Sequence, residues 1–177
     1  MTQNFKILES NPISGKFDEK HFGNTDTNPL WIRFNFRDSS DWVGSFASGG
    51  IGLINRKIIE MKNTSKVGVL TNGAFYLINV SLGELIFKPD QGYFTDFDLI
   101  PETELLILAT NWGLYIFKDK EIIKEIRPDS IDGVRFKKRN ENLLTGEICE
   151  PSKNGNNWSE FVFNIQTLKL NWKKYEY

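Results

Sequence analysis

Apolar and polar residues alternate in short runs along most of this chain, and Gly, Asn, Asp or Pro breaks the runs every few positions. A period of two with such punctuation predicts strands joined by tight turns. Residues 94–126 show it best: four strand-like runs separated by turn signals at 101–104, 111–113 and 118–121 predict an antiparallel meander. One meander cannot bury both of its faces, so it calls for copies packed beside it. Upstream, residues 31–36 alternate Ile32, Phe34 and Phe36 with Arg33 and Asn35 before a turn at 37–40, and further runs follow at 42–46, 51–55 and 58–61 around a turn at 47–50. Residues 1–30 carry one strand-like piece at 5–8 and then a polar stretch, which reads as an arm covering a sheet edge.

An internal repeat supports the copies. VGSFASGGIGLIN at 43–55 aligns without gaps on VGVLTNGAFYLIN at 67–79, and the same hairpin returns as LILATNWGLYIF at 106–117 with Trp112 added before the glycine. A fainter last copy pairs 143–149 with 159–165, followed by 168–172. Its connection, 150–158, is rich in Pro, Ser, Asn and Gly and reads as an expanded loop, the place where repeat proteins build binding surfaces. Residues 118–126 also suit a short helix with Ile122, Ile123 and Ile126 on one face. The strand reading is preferred, because the matching segment 85–88 is too short for a helix. The units fall at about 31–62, 66–88, 93–126 and 131–177, the second without an evident first strand.

This grouping predicts one all-β domain over 1–177. Four-strand units spaced near the roughly 40–45 residues of a propeller blade make residues 31–177 resemble the WD-repeat-like and related propellers, here about four-bladed and either closed or open. The Trp-Asp and Gly-His dipeptides of the WD family are absent from the expected positions. A β-sandwich or an irregular barrel built from the same meanders is the alternative.

Composition agrees with a β protein: 14 Phe in 177 residues and 14% aromatic residues overall. A formal charge of −1 supplies no general attraction to nucleic acid or an anionic membrane. The lone cysteine, Cys149, forms no internal disulfide, and neither a signal-peptide core nor a bilayer-length apolar run is present. The expectation is a cytoplasmic protein with no membrane partner.

Few residues carry candidate chemistry. His21 is the only histidine and Cys149 the only thiol, so a Cys–His pair requires the fold to join them; the simpler expectation is an exposed histidine and a buried thiol. No metal-ligand spacing occurs and no cofactor is implied. Asp96 and Asp98 share one strand face, a place for acid–base work or a cation. The first strands of units one, three and four present charged rows: Arg33, then Asp96 and Asp98, then Arg135, Lys137 and Arg139. Such rows pair internally, mark an incomplete ring, or open toward a partner. The stripe RFKKR at 135–139 is small for nucleic acid and lies near Asp129, Asp132 and Glu141. No phosphate-binding glycine loop is present, and the sequons at Asn63 and Asn157 matter only in a secreted protein.

Surface loops remain. On a propeller, the turns joining second to third strands share a rim with the inter-blade connections. That rim gathers Ser48, Asn72, Asp90, Gln91, Tyr93, Asn111, Trp112, Glu150, Asn154 and Trp158 as candidate partner-binding residues, in the pattern of aromatic anchors with a polar surround. Between 84 and 104, Glu84, Asp90, Asp96, Asp98, Glu102 and Glu104 face only Lys88, which predicts an acidic patch and a basic partner.

As a profile, a short, Asn-, Ile-, Lys- and Phe-rich, propeller-like chain without a catalytic set resembles the immunity proteins of bacterial contact-dependent growth inhibition and other polymorphic toxin systems. The resemblance implies a noncatalytic protein that binds and neutralises a toxin domain, often a nuclease, with Asp90, Trp112, Glu150 and Trp158 as preferred contacts. A propeller-type scaffold or regulatory domain using the same rim is the alternative, and a small-molecule enzyme using Asp96 and Asp98 a further one.

Overall fold

A computed structural model of the chain describes residues 4–13, 15–24, 28–35, 41–50, 55–61, 64–90, 92–128, 132–153 and 155–173. The expectations for Phe36, the turn 37–40, the strand portion 51–54, Lys62, Asn63, Gln91, Asp129 and Asn154 lie outside the described residues. Within them the chain is all-β, with sixteen strands in four four-stranded sheets. It divides into two compact units, Met1–Gly92 and Tyr93–Tyr177.

In the first unit, β1 (Phe5–Ile7), β2 (Asp18–Phe22), β3 (Leu30–Phe34) and β4 (Trp42–Phe46) form a sheet in the order β1-β3-β4-β2. The stretch read as an arm therefore supplies both edge strands of this sheet. β1 pairs antiparallel with β3, and β2 pairs parallel with β4, Asp18 opposite Trp42 and Phe22 opposite Phe46. β2 and β3 occupy the two sides of β4, and the strand portion 51–54 expected to return from it lies outside the described residues. Residues 47–50 cross the turn of the neighbouring sheet so closely that a Cβ on Gly49 would lie 2.3 Å from the Ala74 nitrogen.

The second sheet runs β5 (Arg56–Glu60), β6 (Lys66–Thr71), β7 (Ala74–Asn79) and β8 (Glu84–Phe87) in chain order. β5 is the first strand that this unit lacked in the sequence reading, which had given residues 58–61 to the unit before. Local alternation reveals a strand but not its partner, and Met61 N donating to Lys66 O at 3.0 Å closes β5 onto β6. Aromatic residues fill the core of the first unit: Phe22 stacks on Phe46 with centroids 4.8 Å apart, and Phe34 on Trp42 at 4.5 Å. Their polar atoms are satisfied by the chain, Trp42 Nε1 donating to Val80 O at 2.9 Å and Tyr76 Oη to Ala47 O at 2.9 Å. Burial pushes the Tyr76 phenol above its ordinary pKa.

The second unit begins with the predicted meander, β9 (Phe94–Ile100), β10 (Leu105–Thr110), β11 (Gly113–Lys118) and β12 (Glu121–Ile126). Residues 121–126 form a strand on β11, not a helix. β13 (Val134–Asn140), β14 (Leu143–Ser152), β15 (Gly155–Asn164) and β16 (Lys169–Trp172) make the last sheet. Its expanded loop is also corrected: β14 and β15 stay paired from Leu143 opposite Asn164 out to Ser152 opposite Gly155. What composition marked as a loop is a ribbon extending the hairpin beyond β13, whose first paired residue, Val134, faces Ile148. Ile107, Leu114, Ile116, Val134, Leu144, Ile148, Phe161 and Phe163 form the core of this unit.

Candidate functional site

Three side-chain contacts set β9 beside β13, running the same way. Thr95 Oγ1 donates to Val134 O at 2.7 Å, Phe136 N donates to Asp96 Oδ2 at 2.8 Å, and Arg139 Nε lies 3.0 Å from Asp98 Oδ2. Asp96 and Asp98 are each 9% exposed, and their other oxygens accept from Phe97 N and Leu99 N. Of the readings open for the charged rows, internal pairing describes this one. The carboxylates point at backbone amides and a guanidinium, leaving no open face for a substrate. The predicted acidic patch also loses these two members, and Glu102 and Glu104 lie at the turn into β10, the far end of the sheet from Tyr93.

The opposite end of the second unit gathers part of the predicted rim. Phe94 is opposite Thr110, so Tyr93 lies beside the β10–β11 turn of Asn111 and Trp112. That turn is held by Trp112 N donating to Thr110 Oγ1 at 3.1 Å. Because β9 and β13 run together, the β14–β15 ribbon with Glu150 and Trp158 projects at the same end. Tyr93 is 55% exposed, Trp112 61% and Trp158 41%. Neither tryptophan folds into the core.

The rest of the expected set is placed otherwise. Glu150 is buried and accepts from Ser159 Oγ at 3.2 Å, so it is not a surface contact. Asn111 is half-buried. Asn72 and Asp90 belong to the first unit; Asp90 is exposed, whereas Asn72 is half-buried in the β6–β7 turn with φ 46° and its amide donates to Asn55 O at 2.7 Å. Ser48 is half-buried in the same unit.

Two arginine–ring contacts in this unit, one on the exposed Trp158 and one on the half-buried Tyr115, do not follow from the sequence pattern. The Arg135 guanidinium stacks over Trp158, 4.0 Å from the ring centroid. Arg127 donates to Tyr115 Oη at 2.8 Å and pairs with Glu125, and those two bonds raise its pKa above the ordinary arginine value. No local motif announces either contact, since each depends on cross-strand register.

Behind Trp158 the basic stripe is tied down. Lys137 lies 2.7 Å from Glu147 and 3.2 Å from Glu160, and Arg135 lies 2.7 Å from Glu147. The hydrogen bond from Lys137, with help from Arg135, holds Glu147 below the ordinary carboxylate range, and the same bond raises Lys137. With Arg139 committed to Asp98, three of the stripe's cations have carboxylate partners, which removes the footprint a nucleic acid would need.

His21 Nδ1 lies 2.6 Å from the buried Ser45 Oγ, and its ring meets Trp31 edge-on at 6.0 Å. Cys149 is buried, and burial foremost, with Asp132 next, raises its thiol pKa, opposite to what a nucleophile needs. Among the described residues no group of His, Cys, Asp or Glu is arranged to hold a metal ion, and no helix is long and apolar enough to cross a membrane. No known protein family matches the chain, and a search of curated proteins finds no match.

Proposed function

We propose that this chain is a noncatalytic protein-binding module that acts in the cytoplasm as an immunity protein, binding and neutralising a toxin domain, a nuclease being the favoured class. The observation that carries the reading is the exposure of Tyr93, Trp112 and Trp158 at one end of the second unit. Large rings held by a tight turn and a paired ribbon lose little entropy on binding, and Arg135 already lies against one of them. With Asp96 and Asp98 buried, recognition rests on these anchors more than on an acidic surface. As part of the same proposal, the four sheets are blades of a small propeller-like arrangement; their uniform four-strand build and the β9–β13 clasp support it.

The test is co-expression of the chain with the toxin domain encoded immediately upstream of it, followed by co-purification. A stable complex and relief of toxicity are expected. Trp112→Ala and Trp158→Ala should each weaken the complex by about 2 kcal/mol, roughly thirtyfold in Kd, while leaving the fold intact. Unrelieved toxicity with no complex would sink the proposal.

A further inference from the structure

In the first unit, strands β1 and β5 are both sheet edges, each hydrogen-bonded on one side only. Leu8 N donates to Trp31 O and Asn35 N donates to Asn4 O, so Asn4, Lys6 and Leu8 bond toward β3. Alternation then turns the peptide groups of Phe5 and Ile7 outward. Likewise Asn72 N donates to Asn55 O and Met61 N to Lys66 O, which leaves those of Arg56, Ile58 and Glu60 on the open edge of β5.

These two edges line one groove. A cavity of about 390 Å³ is bounded by Phe5, Lys6, Ile7, Arg56 and Ile58. Asn4 Nδ2 donates to Glu60 Oε1 at 2.8 Å and ties the two strands together beyond it. A second hollow of about 430 Å³ adjoins at Lys6 and Ile7 and carries the chain of residues 8–13 with Lys16 and Phe17. Lys6 and Arg56 are exposed, and no carboxylate among the described residues pairs with either. Ile7 is 42% exposed and Ile13 75%. Glu9 is the acid that lines the second hollow, against Lys6 and Lys16.

Open peptide groups, apolar walls and cations together describe a site for an extended peptide. Strand addition satisfies the edges; Lys6 and Ile7 lie on opposite faces of β1, whereas Arg56 and Ile58, two residues apart, share a face of β5, so an added strand meets a cation and an apolar residue along each edge. We infer that the β1–β5 groove binds an acidic peptide segment in extended conformation, a partner separate from the one proposed for the second unit. The charge balance of the lining selects acid over base in the segment.

The experiment is fluorescence anisotropy with the full chain and two labelled octapeptides, one alternating Glu and Val, the other Lys and Val. The Glu/Val peptide should bind at least about tenfold more tightly, and more weakly as salt rises. Lys6→Glu combined with Arg56→Glu should reverse the preference, and the milder pair Lys6→Gln with Arg56→Gln should abolish it if the reversed variant fails to fold. Methylating alternate backbone amides of the peptide should remove binding. No binding of the Glu/Val peptide, equal affinity for the two peptides, an unchanged preference in the variants, or full binding of the methylated peptide would each overturn the inference. Trp112→Ala and Trp158→Ala should leave this binding unchanged, so the two sites fail independently.

Discussion

Replacing Asp96 with alanine tests the clasp between β9 and β13 directly. Its two oxygens accept from Phe97 N and Phe136 N, both at 2.8 Å, and the residue is 9% exposed. A hydrogen bond to a charged acceptor contributes about 1.5–3 kcal/mol, and a buried donor left empty costs about 1–3 kcal/mol. Two amides lose their acceptor at once, while relief of the carboxylate's own desolvation offsets part of the loss. The net expectation for Asp96→Ala is about 3–4 kcal/mol, a large share of the roughly 5–15 kcal/mol that stabilises a typical domain. Asp96→Asn keeps one acceptor but turns a donor toward the other amide, and should cost about 2 kcal/mol. Glu102→Ala is the control: its contact with Arg139 is 3.8 Å long with the glutamate side chain 73% exposed, so it should cost less than about 0.5 kcal/mol. Urea unfolding followed by tryptophan fluorescence gives these differences from the midpoint and slope. A loss below about 1 kcal/mol for Asp96→Ala, with the slope unchanged, would refute the reasoning and reduce the clasp to an incidental contact.

Gly113→Ala should destabilise by several kcal/mol or abolish soluble expression, because a Cβ there would lie 2.0 Å from Ile126 O at a φ of 153°; far-ultraviolet circular dichroism and melting temperature check it. Trp158 is opposite Cys149, and its ring lies 3.4 Å from the place a Cβ would take on Gly133, so Trp158→Ala should uncover the thiol. Labelling by a thiol reagent should then accelerate at least about tenfold without global unfolding, and an unchanged rate would show that other groups cover Cys149. Since Glu147 is held below its unfolded value, its contribution is complete above the ordinary glutamate pKa of about 4.3 and is lost as pH falls through the depressed folded value. Glu147→Gln should therefore flatten the stability profile below about pH 4.5. For Cys149 the sign reverses: its contribution is complete below the ordinary thiol pKa of about 8.5 and is lost as pH rises toward the raised folded value, so Cys149→Val should flatten the alkaline limb.

The fold was legible where pairing is local. The β10–β11 hairpin around Asn111 and Trp112, and the β6–β7 hairpin around Asn72 and Gly73, follow from alternation plus a turn, because each strand's partner is its neighbour in sequence. β2 escaped notice because DEKHF has no alternation to read, and its parallel partner β4 is reached only across β3. β5 reads as a strand in the sequence, but alternation does not name its partner, which is β6. The β14–β15 ribbon was hidden by Pro151, Asn156 and Asn157, loop-forming types that remain paired in a two-stranded extension. For the candidate site, Trp112 and Trp158 are exposed. Burial of Glu150, Asp96 and Asp98 did not follow from residue type, because a carboxylate is buried only where amides or cations converge on it, and that convergence comes from strands distant in sequence.

The strand order β1-β3-β4-β2 also bears on how the chain acquires its structure. In the second unit every pairing joins successive strands, so each hairpin can form as soon as its own residues are present, and the search is short. The first sheet needs Phe5 to find Phe34 and Asp18 to find Trp42, around a central hairpin that must already exist. Both of its flanking strands are made before the template they dock on. β1 and β2 therefore wait uncommitted during synthesis until β3 and β4 follow, and the second unit has the simpler path to completion.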